Sequence, residues 1–152
     1  MKPFFILVLG VITILAACDK DDFETKPKIE IKSQSGDVIG RNSDLRVELR
    51  VTDKEGDVDD SLVVIRERLN ARAADPRSRD LKYKIPEFPD NTSVDMEIIL
   101  QNATALTLAS PAIPIPGSVG EFEADTLSLK FVVIDKAKNV SDTVSSNVVV
   151  IR

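Results

Sequence analysis

Leu45, Val47, Leu49 and Val51 alternate without a fault with Arg46, Glu48, Arg50 and Thr52. Successive side chains of a strand point to opposite faces, so such a segment buries one face and wets the other only as β-structure. Leu127, Leu129, Phe131 and Val133 repeat the pattern. Shorter runs carry the same period or a β-branched bias: Ile29 and Ile31, Leu62 to Ile65, Leu81 to Ile85, Val94 to Leu100, and Val144 to Ile151. Between them lie turn signals: Ser35-Gly36-Asp37, Pro86, Pro89-Asp90-Asn91, and the stretch with Pro111, Pro114, Pro116, Gly117 and Gly120. That last segment is suited to crossing an edge and not to the middle of a sheet. About seven short strands and no convincing helix predict an all-β fold, an antiparallel sandwich. Arg66 to Ala73 has helical propensity, and Ser61 offers a cap for a helix through Ala74. A strand from Leu62 is preferred there because alternating strands flank it. Residues 28–152 suffice for one domain with a real core.

The segment Leu127 to Ile151, with its Asp-Lys-Ala-Lys-Asn-Val-Ser-Asp turn, is similar to the closing hairpin of bacterial immunoglobulin-like and cadherin-like modules. The resemblance implies an immunoglobulin-like sandwich, although paired core cysteines and the core Trp are missing. It also implies that the loops after Leu45–Thr52 and Leu127–Ile134 share one pole. The chain would enter its first strand at that pole, and the Arg66–Lys84 connection would face the other way.

Before the domain, Lys2 gives a minimal positive region and Phe4 to Ala17 is uncharged. Fourteen helical residues reach only about 21 Å, short of the roughly 30 Å of a hydrocarbon core, so a resident span is not expected. Residues 1–17 read as a secretory signal, and Leu15-Ala16-Ala17-Cys18 resembles the lipobox of bacterial lipoproteins. That resemblance implies a diacylglycerol on Cys18, cleavage ahead of it and a permanent membrane anchor. Residues 18–27 then form the lipidated cysteine and an acidic tether whose nine residues after Cys18 reach at most about 30 Å. Lys20, Asp21 and Asp22 resemble the acidic export signals of surface lipoproteins in some Gram-negative groups. This implies an outer-membrane protein facing the medium, with the periplasmic face as the alternative.

Removing residues 1–17 takes away one basic residue, Lys2, and leaves 19 basic against 25 acidic side chains, net −6. Nucleic acid is therefore not an expected partner, because phosphate binding needs a basic surface. The chain has no His and no Trp, and its one Cys is Cys18. Histidine acid–base catalysis, Ser-His-Asp hydrolysis, cysteine proteolysis and His-ligated zinc are excluded. Paired carboxylates remain available for glycoside hydrolysis, but one Tyr and six Phe leave little for a sugar platform. The expected role is a non-enzymatic binding or structural module at the cell surface, taking an unknown protein or glycan partner and no cofactor beyond the lipid. A calcium-stabilised adhesin or glycan-capture accessory is the alternative, and a carboxylate-based hydrolase the less favoured one.

Asp53, Glu55, Asp57 and Asp59 recur every second residue around Gly56, and Asp135 follows the other strong strand. Hard oxygen ligands at such spacing suit Ca²⁺. A solvated acidic turn is the plainer reading, since Lys54, Lys136 and Lys138 stand close enough in sequence to neutralise the acids. From Arg66 to Lys84 the chain holds seven basic residues against three acids, either a solvated loop pairing with Glu67, Asp75 and Asp80 or a docking face for an anionic partner. Asp60-Ser61-Leu62, Asp125-Thr126-Leu127 and Asp142-Thr143-Val144 resemble the O-glycosylation acceptor of some Gram-negative bacteria, which implies modification at Ser61, Thr126 and Thr143. Aspartate and hydroxyl residues also serve turns at such places.

Overall fold

The alternating segments become strands, and their apolar faces meet. The computed structural model describes residues 25–75, 79–89 and 92–152. The signal peptide, Cys18 and the export-signal residues Lys20, Asp21 and Asp22 lie outside the described residues. The strands are β1 (Lys28–Gln34), β2 (Val38–Ile39), β3 (Asp44–Thr52), β4 (Ser61–Arg68), β5 (Leu81–Lys84), β6 (Ser93–Gln101), β7 (Asp125–Ile134) and β8 (Val144–Val150). One sheet runs β1-β3-β6 and the other β2-β8-β7-β4-β5. Every pairing is antiparallel except β2 with β8. This is the order of an immunoglobulin-like sandwich in which the first strand switches sheets.

The switch has a local cause. The register of β1 against β3 shifts between Ile31 and Ser33, a bulge that bends the strand away. The chain turns through Ser35-Gly36-Asp37, and Asp37 accepts the Val149 amide at 2.7 Å. Val38 and Ile39 then pair with Val149 and Val150. Two residues are too short for a periodic signal, so β2 is the strand the sequence does not announce.

Leu45, Val47, Leu49 and Val51 of β3 and Leu127, Leu129, Phe131 and Val133 of β7 are all fully buried. They supply the two facing layers of the core. Segment 61–68 is strand, not helix, and its alternation continues beyond Ile65: Leu62, Val64, Arg66 and Arg68 all point inward and are buried. The reading of Arg66 to Lys84 as one solvated basic loop or docking face is thereby corrected, because its first two arginines are interior. A π-helical turn, Asn102–Leu106, explains how. Terminal carbonyls of a helix lack partners within it. Arg66 donates to the carbonyls of Ala105, Leu106, Leu108 and Arg79. The same turn buries Ala105 and Leu106 against the core.

Register fixes two poles. At one, Lys28 pairs with Thr52, Thr52 with Ser93, and Ser61 with Ile134. At the other, Asp44 pairs with Gln101, Arg68 with Leu127, and Asp125 with Val150. The first strand therefore starts at the pole of the acidic loops. Pro27 is buried there and Lys26 ion-pairs with Asp142, so the domain takes hold of the chain just before β1.

Candidate cation site

The loop 53–60 leaves β3 of the three-stranded sheet. Asp53 comes directly after the strand, and its amide donates to the Thr92 carbonyl at 2.9 Å. Gly56 sits at φ +77, where a Cβ is disfavoured, and lets the loop double back. The Asp57 amide consequently faces Asp53, with Oδ2 at 3.4 Å. Val58 is buried and plugs the loop into the core.

The loop after β7 belongs to the other sheet. Asp135 is fully buried, and its two carboxylate oxygens accept the Asn139 amide and side-chain amide at 2.8 and 2.9 Å. These bonds hold Lys138 at φ +73. The Lys136 amide donates to the Asp57 carbonyl at 3.0 Å and staples the two loops.

Asp53, Asp57 and Asp135 thereby converge, each offering a carboxylate oxygen within 4.8 Å of the others. Asp53 is only 4 % exposed. The buried Oδ1 atoms of Asp53 and Asp57 have no hydrogen-bond partner. Burial, then the facing carboxylate of Asp53, pushes the Asp57 carboxyl above its ordinary value. The lysines go elsewhere. Lys136 pairs with Asp59 at 2.9 Å and Lys138 with Asp60 at 3.0 Å, and each holds its carboxyl below the usual range.

Of the five acids singled out in the sequence, three come together. Asp59 is taken by Lys136, and Glu55 stands exposed on the crest of the loop, so these two leave the set. Beside the cluster, a cleft of about 410 Å³ is lined by Lys26, Lys28, Thr52, Asp53, Lys54 and Thr92. Among the hydroxyls of the Asp-Ser/Thr-aliphatic tripeptides, Thr143 is exposed and Thr126 half-buried in β7. Ser61 is buried and donates to Asp60 at 2.8 Å, which places its hydroxyl out of reach in the folded domain.

The sequence reading missed the opposite pole. Arg68, Asp125 and Arg152 form a buried ionic group there, and Arg72 pairs with Glu123 at 2.5 Å. The alternation of buried and half-buried positions runs on from Leu62 to Arg68, but the sequence there passes from an apolar run to a charged one and carries no periodic signal.

No protein-family model matches the sequence, nor does any curated protein. Among solved structures the chain is similar to the sporulation control protein Spo0M from Bacillus subtilis, at 9 % identity and a TM-score of 0.43, covering 84 % of this chain and 50 % of that one. A β-glucosidase from Listeria innocua matches at 13 % identity and 0.44, over 84 % of this chain and 16 % of its own. A cohesin module from a Clostridium perfringens family 33 glycoside hydrolase matches at 16 % and 0.38, over 84 % of this chain and 98 % of its own. The chain thus spans half of the first of these and a small part of the second.

Proposed function

We propose that this is a lipid-anchored outer-membrane protein whose sandwich acts as a non-enzymatic binding or structural module, held at the surface through Cys18. The observation that carries the reading is the direction in which the chain enters the sandwich. Pro27 and Lys26 dock at the acidic pole, so an anchor at Cys18 holds that pole toward the membrane. The opposite pole is then presented outward. It carries the connections after β4 and β6, with exposed Leu69, Leu108, Val119 and Phe122 beside Arg72 and Arg79. Exposed apolar groups set among charges suit contact with a protein or glycan partner.

The anchor is tested by Cys18→Ala in cells. The expected result is a variant that stays unprocessed or soluble, while the wild type enters the detergent phase. Equal partitioning of the two removes the anchor. The non-enzymatic part is tested with a panel of chromogenic glycosides and peptides. No turnover is expected, and a rate abolished by Asp57→Asn would make the protein an enzyme.

A further inference from the structure

We propose that Asp53, Asp57 and Asp135 form a calcium site that clamps the two sheets together at the acidic pole. Two oxygens bound to one Ca²⁺ at about 2.3–2.6 Å each lie no more than about 5 Å apart. The three carboxylates meet that condition, with separations within 4.8 Å. A second observation points the same way. Asp53 is 4 % exposed, and its Oδ1, like that of Asp57, is buried without any hydrogen-bond partner. A buried carboxylate oxygen left bare is costly, and several such groups facing one another repel as well. Lys136 and Lys138, which lie next to Asp135 in the chain, pair instead with Asp59 and Asp60. A cation shared by the three would satisfy the bare oxygens and cancel the repulsion.

The donors are all oxygens, which selects a hard cation. Calcium fits better than magnesium. The former accepts irregular shells of six to eight oxygens, completed here by water or loop carbonyls, whereas the latter demands a near-octahedral shell and sheds water reluctantly. Asp53 and Asp57 follow β3 and Asp135 follows β7, so the ion would join loops of opposite sheets where the chain enters the domain. The site stands whether or not the chain is lipid-anchored.

The test uses the full chain, purified in detergent and stripped with EDTA. Titration with CaCl₂ followed by calorimetry should show one ion per chain with a Kd of about 0.1–1 mM, the range of extracellular calcium modules. At about 10 mM Ca²⁺ the melting temperature should rise by roughly 3–8 °C, and Mg²⁺ at matched ionic strength should leave it nearly unchanged. Asp57→Asn should lose the binding and the shift, while its metal-free melting temperature equals or exceeds that of the wild type. Glu55→Gln should keep both. Bound Tb³⁺ luminescence, displaced by Ca²⁺ and not by Mg²⁺, reads the same site without any variant. The proposal is overturned by equal shifts with the two ions, by a calcium shift that survives in Asp57→Asn, or by the absence of calcium binding.

Discussion

Arg68 donates to Asp125 across 2.9 Å with the two side chains only 3 % and 0 % exposed. Arg152 closes on the same carboxylate oxygen, and the two guanidinium groups also reach the carbonyls of Pro111 and Ser110. One carboxylate thus balances two arginines at the pole opposite the acidic loops. Removing the shared partner of a buried ion pair leaves charge without compensation and costs about 3–5 kcal/mol. Asp125→Asn keeps the shape and removes the charge. We expect a loss in that range, seen as a lower urea midpoint at unchanged slope. A loss below about 1 kcal/mol would mean that packing alone holds this pole.

Arg66 is the second buried arginine of β4, and it has no carboxylate among its hydrogen-bond partners. Its guanidinium serves the carbonyls around the π-helical turn and that of Arg79. Burial lowers its affinity for the proton, yet a guanidinium has enough in reserve to stay charged. Arg66→Met preserves length and apolar volume but leaves several carbonyls without donors. Each such group costs about 1–3 kcal/mol, so a total loss of roughly 2–5 kcal/mol is expected in the same urea experiment. Arg66→Lys should recover part of it. Full stability of the Met variant would show that water reaches those carbonyls.

These arginines mark where the sequence stops being legible. The two cleanest alternations, in β3 and β7, predict strands, faces and core correctly because apolar periodicity reports burial directly. The same rule misreads Arg66 and Arg68, whose burial depends on carbonyls some 40 residues later in the chain. Strand β2 escapes because two residues carry no period. At the acidic pole, spacing finds Asp53 and Asp57 and fold resemblance brings in Asp135. It does not foresee that Lys136 and Lys138 would divide between Asp59 and Asp60, which is decided by the fold of two loops.

On the outer face of the three-stranded sheet, Arg50 grips Asp95 with two bonds of 2.7 Å. The Arg50 hydrogen bond, ahead of its charge, holds the Asp95 carboxyl below its ordinary value of 3.8. A carboxylate with a depressed folded pKa stabilises above its unfolded value, and the contribution fades as pH falls through the folded one. Both groups face solvent, so the effect is small and screened by salt. Urea midpoints of the wild type and Asp95→Asn should differ slightly near about pH 7 and converge as the pH falls below the ordinary carboxylate range. The gap should also shrink in high salt. A difference independent of pH would assign it to sheet propensity and not to the ion pair.

Surface display rests on the tether and is separable from anchoring. In the proposed lipoprotein, Lys20, Asp21 and Asp22 lie two to four residues after Cys18, within reach of a sorting apparatus that reads the start of the mature chain. Lys26 and Pro27 are the first residues with described contacts to the sandwich, and the three replaced residues lie outside the described ones. Their replacement by Ala should leave lipidation and melting temperature unaltered. On intact cells, added proteinase K should degrade the wild type and spare the triple variant, with a periplasmic marker intact in both. Lysed cells should then lose both forms at equal rates, which separates protection by the membrane from a change in the fold. If the triple variant is degraded on intact cells as fast as the wild type, residues 19–24 are only a spacer. If neither form is degraded, the domain faces the periplasm, and the pole bearing Phe122 and Val119 meets a partner inside the envelope.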